Sequence, residues 1–288
     1  MASHVEQTYQ ERILKVLVHI QNHLDDELSL EELASVAYFS PFHFHRIFTA
    51  LTGESIKSYV RRLRLERATR DLVFTDLSIV QVGERAGYDT QQSFHRAFKE
   101  AFNETPKTFR EKATEGLSLR AKQNELDANA KELVIVKTIE PIVVAFVRHV
   151  GPYDHGTIMK SWMQLVAEVG LPHILSDKSE KISIPYDSPE TTLAEKLRYD
   201  ACVTVDQLPN FKAKGAIGVQ TIEGGKYAVI THNGSLDTIE NAYNILFGVW
   251  LPQSGYEPAD HPNFMLHRKI PFQISSEDLV TDIYLPLK

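Results

Sequence analysis

Phe44-His45-Arg46-Ile47-Phe48 returns fifty residues later as Phe94-His95-Arg96-Ala97-Phe98. Each copy is preceded by a matching stretch, Leu28-Ser29-Leu30 in the first and Leu77-Ser78-Ile79 in the second. Self-similarity at a fixed period indicates one supersecondary unit used twice. The N-terminal part of the chain is therefore predicted to contain two copies of one helical unit.

The spacing within each copy is typical of a helix, a tight turn and a second helix. Ser29 and Ser78 are the expected N-caps of the first helices, and Gly87 can take the positive φ that ends the first helix of the second copy. Ser40 precedes a proline and is the expected N-cap of the next helix, with Asp89 in the equivalent role. Both copies are predicted to be helix-turn-helix motifs.

Further helices are expected around these motifs. The spacing of apolar residues after Ile56 predicts a connecting helix of about 17 residues, and five arginines are distributed around it. An amphipathic helix is expected before the first motif, and a short closing helix from Pro106 through Phe109. Residues 113–130 are polar without apolar periodicity and are predicted to form a linker.

The second half of the chain contains its own repeat. Residues 138–154 align without a gap on residues 221–237, an offset of 83. In each copy a strand-like run leads through a His-x-Gly sequence into a helix-like stretch. We therefore predict two domains: an all-α domain with tandem helix-turn-helix motifs over residues 1–112, and an α+β domain with a pseudo-twofold antiparallel sheet over residues 131–288.

The composition fits a globular protein of two domains. The 288 residues are 43% hydrophobic, and a single cysteine, Cys202, excludes an internal disulfide. No long apolar run and no signal-like start is visible, so we expect a cytoplasmic protein with no membrane partner.

The net charge is −7, but residues 41–70 carry seven basic and two acidic side chains. This basic stripe fits contact with a polyanion.

Two known families share these motifs. Gly87-Tyr88, Gln91 to Phe94, Arg96 to Lys99 and Thr105-Pro106-Lys107 resemble the AraC/XylS family of transcription regulators. The second half resembles the GyrI-like effector-binding domain, and the residues that carry this resemblance are His149-x-Gly151-x-Tyr153, Trp250-Leu251, Gly255-Tyr256 and Ile283 to Pro286.

The first resemblance implies binding of double-stranded DNA by two helices in adjacent segments of the major groove. The positions expected to face bases are Phe42, His45, Arg46, Gln91, Gln92, His95 and Arg96. For the histidines, a phosphate contact or a solvent-facing position is the alternative, and for Arg46 and Arg96 it is a salt bridge. Arg61, Arg62 and Arg64 on the connecting helix are expected to contact phosphates, or else to form a solvated face.

The second resemblance implies a pocket for a small effector. The candidate residues are Tyr153, Trp162, Tyr186, Trp250, Tyr256, Phe264 and Met265. Packing in the core is the alternative role for each aromatic ring. Met265 stands where the family usually has an acidic residue, so the effector is expected to be aromatic or lipophilic, with its charge left open.

The favoured function is a ligand-responsive, DNA-binding regulator of transcription, in which effector binding or oligomerisation changes promoter occupancy or contact with RNA polymerase. No catalytic residue, cofactor or metal site is expected, since no Ser-His-Asp order or glycine-rich phosphate loop is visible, and His43 and His45 point away from each other on a helix. Two alternatives remain: a hydrolase of small cyclopropane-type compounds, and a protein-interaction module without ligand sensing.

Overall fold

The computed structural model describes residues 4–124, 133–208, 211–269 and 275–288. The chain divides into two compact units, one of residues 1–110 with 212–218 and one of residues 111–211 with 219–288. Within the described residues, no helix is long and apolar enough to cross a membrane. The described helices of the N-terminal region are α1 (His4–Asn22), α2 (Leu30–Val36), α3 (Pro41–Thr52), α4 (Ile56–Phe74), α5 (Ile79–Arg85), α6 (Gln91–Phe102) and α7 (Pro106–Asn124).

The two helix-turn-helix motifs are α2–α3 and α5–α6. Ser29, Ser40 and Ser78 cap helices α2, α3 and α5 as predicted, each accepting a backbone N–H with its side chain. The cap of α6 is Thr90 and not Asp89, because the threonine hydroxyl accepts from the backbone N–H of Ser93. A cap at Thr90 means that α3 and α6 both begin after a hydroxyl residue.

Each motif has its own hydrophobic core. Phe44 and Phe48 of α3 are fully buried with Leu33 of the first motif, whereas Phe94 and Phe98 of α6 are buried in the second cluster. Helix α4 contributes residues to both clusters. The repeated phenylalanines thus bury one face of α3 and of α6, and leave the opposite face to solvent.

Helix α7 is longer than predicted. It runs from Pro106 to Asn124, so the predicted short helix ending at Phe109 was wrong about its end. Residues 113–124 are rich in Ala, Glu, Leu, Lys, Arg and Gln, which favour a helix without any apolar stripe. The remainder of the predicted linker, residues 125–130, lies outside the described residues.

The C-terminal domain is an eight-stranded sheet with helices. Its strands follow the order β1-β6-β8-β7-β3-β4-β2-β5, and the described pairings are antiparallel. The strands are β1 (Val134–Ile139), β2 (Ile142–Val150), β3 (Lys181–Pro185), β4 (Arg198–Thr204), β5 (Ile217–Ile222), β6 (Gly225–Asn233), β7 (Phe264–Lys269) and β8 (Val280–Leu287). The helices are α8 (His155–Val169), α9 (Leu171–Ile174), α10 (Glu240–Tyr243), a π-helical segment (Asn244–Trp250) and α11 (Leu251–Ser254).

The predicted pseudo-twofold sheet is confirmed. Strands β5, β6 and β7 begin 83 residues after β1, β2 and β3, the offset of the sequence repeat. The two halves exchange their first strands, because β1 pairs with β6 and β5 lies next to β2. The halves meet in the middle of the sheet, where β3 pairs with β7 through Ser183 and Met265.

Candidate nucleic-acid interface and effector cavity

Helix α3 exposes three of the predicted base-reading side chains. Phe42, His45 and Arg46 are all exposed, and 66% of the Phe42 surface is accessible. The Arg46 guanidinium lies over the Phe42 ring, 5.7 Å from its centroid. Because Phe44 and Phe48 fill the core, these side chains lie on the opposite, solvent-facing side of the helix.

Helix α6 exposes Gln91, Gln92 and Arg96, but not all of His95. The Nε2 atom of His95 is buried and, among the described residues, has no hydrogen-bond partner. The ring contacts Phe94 edge to face, 6.4 Å between centroids. His45 and His95, which occupy the same position in the repeat, therefore differ: His45 faces solvent and the Nε2 tip of His95 does not.

The alternative role for Arg46 and Arg96 was a salt bridge. Within the part of the chain that the structure describes, no ion pair engages either guanidinium, and both side chains are exposed. Their donors thus remain available on the surface. Arginine donates in a fork that matches the two acceptors of guanine in the major groove.

The arginines of α4 that were predicted to contact phosphates have protein partners. Arg62 forms ion pairs with Glu54 at 2.8 Å and Glu66 at 3.1 Å, and only 21% of its side chain is exposed. Arg64 donates to the carbonyls of Leu24 and Asp26 at 2.8 and 2.7 Å. Burial lowers the pKa of Arg64 from its ordinary value. These contacts favour a structural role for Arg62 and Arg64, and their phosphate contacts stay a prediction.

Two further α4 arginines contact the second motif. Arg61 donates to the Tyr88 hydroxyl at 3.1 Å and pairs with Glu100 of α6 at 3.2 Å, although 52% of its side chain is exposed. The pKa of Arg61 is raised, chiefly by the hydrogen bond to Tyr88. Arg67 is buried and donates to the Arg85 carbonyl at 2.7 Å. We call Arg61, Arg62, Arg64 and Arg67 the α4 arginine cluster.

The α4 arginine cluster joins the two motifs into one body. Arg62 contacts Glu54, just after α3, while Arg61 contacts α6 and Arg67 contacts α5. Guanidinium groups with several short, directed hydrogen bonds restrict relative movement of the elements that they join. The two recognition helices are consequently attached to a common rigid helix.

A cavity of about 620 Å³ opens on one face of the C-terminal sheet. Its floor includes Phe264 and Tyr284, whose rings are stacked with centroids 4.4 Å apart. Ile139, Val143 and Leu266 add aliphatic surface. Pockets for small organic molecules have volumes of roughly 300–1,000 Å³ and mainly apolar linings. We call this feature the sheet cavity.

Charged groups surround the sheet cavity unevenly. Four exposed carboxylates lie on its wall, those of Glu140, Asp177, Glu180 and Asp206. Two of the three basic lining residues are engaged within the protein: Lys137 donates to the Tyr284 hydroxyl and Arg268 pairs with Asp282 at 2.7 Å. Lys137 keeps its charge, because the phenol is neutral, and with Lys178 it balances two of the four acids, so the lining of the sheet cavity remains net acidic.

The opposite face of the sheet holds a buried polar network beneath α8. Trp162 donates to the Tyr199 hydroxyl at 3.1 Å, and the Ser183 hydroxyl bonds to both Tyr199 and His267. The Ser183 Oγ lies 2.6 Å from the His267 Nε2. We call these four residues the Ser183 network. Successive residues of a strand point to opposite faces, so His267 lies across the sheet from its neighbours that line the sheet cavity.

Burial keeps the Ser183 network uncharged. It lowers the pKa of His267 to about 4, because the protonated imidazole would lose its hydration. It also raises the pKa of Tyr199 to about 12. Met265 points to the same face as Ser183, its partner in the β3–β7 pairing. Met265, where the resemblance implied an acidic residue, thus lies on the same face as this uncharged network.

The predicted effector residues do not lie together. Phe264 lines the sheet cavity, whereas Trp162 and Met265 lie on the opposite face. Tyr186 lies between two guanidinium groups and donates to Asp200 at 2.8 Å. The others are placed elsewhere: Tyr153 donates to the Arg198 carbonyl, and Trp250 stacks on Tyr256 at 6.0 Å. Sequence reasoning missed the four carboxylates of the sheet cavity, because they come from loops far apart in the chain.

Both domains match known protein families. Residues 33–112 match a helix-turn-helix domain profile, and residues 134–288 match the GyrI-like small molecule binding domain. The chain belongs to the GyrI-like family. Its N-terminal domain is of the AraC type, so this GyrI-like protein is a DNA-binding transcription regulator with a small-molecule-binding domain.

Individual relatives resemble this GyrI-like regulator to different extents. The right origin-binding protein of Escherichia coli is 24% identical over 249 residues, which cover 83% of this chain and 84% of the relative. The uncharacterized regulator YbfP of Bacillus subtilis is 35% identical over 102 residues, 35% of each chain. A solved EcmrR–DNA complex has a TM-score of 0.46 and 17% identity, and covers 90% of this chain and 98% of that one.

Proposed function

We propose that the protein reads a specific DNA site with α3 and α6 and that a small effector in the C-terminal domain controls this binding. The observation that carries the proposal is the pair of exposed arginines, Arg46 and Arg96, on equivalent helices that are both attached to α4. Two helices held in this way fit consecutive major-groove segments on one face of the duplex, about 34 Å apart.

In this proposal, one chain binds an asymmetric site without a palindrome. Arg46 and Arg96 each contact guanine, and Gln91 and Gln92 contact adenine. Phe42 contacts a thymine methyl group. Bound in the cytoplasm near a promoter, the protein changes the access of RNA polymerase or contacts it directly.

Selection from random duplexes tests the DNA part of the proposal. Duplexes that the full-length protein enriches are expected to contain two short blocks of fixed sequence, separated centre to centre by roughly ten base pairs. The order of the blocks should be fixed, because the two recognition helices differ in sequence. Enrichment of a palindrome, or of no sequence at all, would contradict the proposal.

The effector is proposed to bind in the sheet cavity. The stacked Phe264 and Tyr284 with the aliphatic wall favour an apolar body, and the four carboxylates favour a positive charge at its edge. These acids come from the β1–β2 turn and from the loops beside β3 and β4, on the face of the sheet opposite Met265. The proposed effector class is an organic cation with an aromatic or aliphatic body.

Thermal shift with a matched pair of compounds tests this site. Naphthylmethyl-trimethylammonium is expected to raise the melting temperature of the full chain, and its uncharged carbon isostere to raise it less. The double variant Glu180→Gln/Asp206→Asn should remove the difference between the two compounds. Glu168→Gln/Glu195→Gln, which removes the same charge from exposed positions outside the lining, is the control. Equal shifts by both compounds on the wild-type protein would contradict a cationic effector.

A further inference from the structure

Tyr38 has a backbone conformation that a tyrosine rarely adopts. Its φ is +55°, in the left-handed region, where the Cβ atom of an L-residue meets the neighbouring carbonyl. Among the described residues other than glycine, only Asn103 also has a positive φ. Asparagine tolerates this region because its short side chain bonds locally, whereas a tyrosine has no such compensation.

The second motif shows that the same turn is made with glycine. In the first motif, Tyr38 N–H bonds to Ser35 and Phe39 N–H bonds to Ala34. In the second, Gly87 N–H bonds to Glu84 and Tyr88 N–H bonds to Gly83, with φ +82° at Gly87. Both turns therefore have the hydrogen bonds of a Schellman motif, whose left-handed position is usually glycine.

The surroundings explain why only one of these turns can have a side chain. A Cβ atom on Gly87 would lie 2.7 Å from the Arg64 guanidinium, which is bonded to two carbonyls of the N-terminal region. At Tyr38 the side chain extends into solvent and is 76% exposed. A hydrogen bond from α1 stabilises the strained turn, since Arg12 donates to the Tyr38 carbonyl at 3.2 Å.

Packing gives no reason for the tyrosine. Among the described residues, its side chain makes no hydrogen bond or ring contact, and its surface is more exposed than that of any other large hydrophobic side chain. A residue in a strained conformation whose side chain makes no such contact in the free protein is a candidate for a contact with a partner. Its position, three residues before α3 begins at Pro41, places it beside the N-terminal end of the helix that is proposed to enter the DNA groove.

We propose that Tyr38 is a DNA-backbone contact of the first motif, with its ring packed against a deoxyribose and its hydroxyl donating to a phosphate. This inference rests on the proposed DNA binding by α3. It assigns to the first motif a neutral contact that the second motif lacks, since Gly87 has no side chain. A backbone contact fixes the orientation of the protein on the duplex and carries no sequence preference.

A DNA contact at Tyr38 predicts two results for Tyr38→Gly: weaker DNA binding and unimpaired folding. The variant is expected to bind the wild-type protein's most enriched duplex roughly tenfold more weakly, because it loses both the stacking surface and the hydroxyl. Its folding equilibrium constant should nevertheless be roughly threefold larger than that of Tyr38→Ala, because glycine relieves the strain of the positive φ.

Tyr38→Phe isolates the hydroxyl. It should weaken binding roughly three- to tenfold, equally for the enriched duplex and for one with both sequence blocks scrambled. The slope of log K against log salt should stay unchanged, since a neutral phenol replaces no counterion.

The measurements separate failure of this inference from failure of the proposed function. If the wild-type protein enriches a two-block site but Tyr38→Gly binds that duplex as tightly as wild type, the DNA reading by α3 stands and the role of Tyr38 is overturned. A loss of affinity in Tyr38→Gly that is matched by a loss of stability relative to Tyr38→Ala would also overturn it. Absence of any enriched site for the wild type would refute the proposed function itself.

Discussion

Both domains are built from a repeated unit, but the two repeats have diverged in different places. In the helix-turn-helix repeat the capping hydroxyls, the turn hydrogen bonds and the buried phenylalanines match, and the differences lie on the surface: Pro41 and Phe42 in one motif, Gln91 and Gln92 in the other. In the sheet repeat the strands match, and the differences lie inside. Ser183 comes from one half and His267 from the other, and they form one asymmetric network across the centre of the sheet.

Each domain has changed at positions where its fold tolerates change. Exposed positions of a recognition helix can vary freely as long as the core face stays apolar, so a duplicated motif can come to read two different sequences. A sheet whose halves meet edge to edge buries the residues at the junction, so any change there must keep its hydrogen bonds satisfied.

The largest expected effect is the pH dependence that His267 confers on the C-terminal domain. Below about pH 6.5 the imidazole takes up a proton in the unfolded chain, but in the folded domain only near pH 4. The stabilising contribution is therefore complete above pH 6.5 and is lost as the pH falls to 4, by about 3 kcal/mol in total. Both tryptophans, Trp162 and Trp250, lie in this domain, so urea unfolding followed by tryptophan fluorescence reports on it.

The comparison variant for this effect is His267→Asn, which keeps a hydrogen-bonding group near Ser183 and cannot titrate. Its unfolding free energy should depend less on pH between 6.5 and 4 than that of the wild type. Equal slopes in the two proteins would show that His267 does not stay neutral in the fold.

The next effect concerns the joint between the two DNA-binding motifs. Arg62→Ala removes the cation shared by Glu54 and Glu66, whose side chains are only 14% and 11% exposed. We expect the free energy of unfolding to fall by about 2–3 kcal/mol, and amide exchange in α3 to accelerate. Lys57→Ala, which removes an exposed charge from the same helix, serves as the control and should change neither.

A pure phosphate contact at Arg62 predicts the opposite pattern. Stability and amide exchange would stay at the wild-type values, while the salt dependence of DNA binding would weaken by about one counterion. The two roles are thus distinguished by one variant in two assays.

A smaller effect is expected where the two turns differ. Gly87→Ala introduces a Cβ atom into a left-handed conformation and displaces the Arg64 guanidinium. The free energy of unfolding should fall by about 2 kcal/mol in urea denaturation followed by circular dichroism. Gly53→Ala, also at a positive φ but with nothing near the added carbon, should lose only the strain part. Equal losses in both variants would exclude a contribution from Arg64.

The smallest predicted difference is between the two equivalent histidines. His45→Ala should weaken binding of the enriched duplex roughly threefold through loss of a surface contact, and His95→Ala should leave the affinity nearly unchanged once stability is taken into account. The reason is that His45 is exposed, whereas the Nε2 of His95 is buried. A larger loss of affinity in His95→Ala would show that its ring turns outward on DNA.

Much of the fold could be predicted because the repeats are visible in the sequence. Caps such as Ser40 and Ser78 act through contacts three residues away, and phenylalanines at helical spacing define the core face. The choice of Thr90 over Asp89 could not be predicted, since both residue types cap helices well and lie next to each other. The end of α7 was missed because helix propensity there has no accompanying apolar pattern.

Functional residues could likewise be predicted only where a local pattern in the sequence places them. The positions predicted to read bases lie on one helix each, so spacing alone places Arg46 and Arg96 on the exposed face. The arginines of α4 looked alike in the sequence, and only their partners, such as Glu54 for Arg62, distinguish them. The sheet cavity unites residues from Lys137 to Tyr284, and pairings over that range depend on the sheet register, which no local pattern determines.

If each motif reads its own block of one DNA site, selection with two single-arginine variants will affect the two blocks separately. Arg46→Ala should flatten the sequence preference in one block and leave the other intact, and Arg96→Ala should do the converse. Lys15→Ala, on α1, should leave both blocks unchanged. Loss of preference in the same block for both arginine variants, or in neither block, would contradict the account.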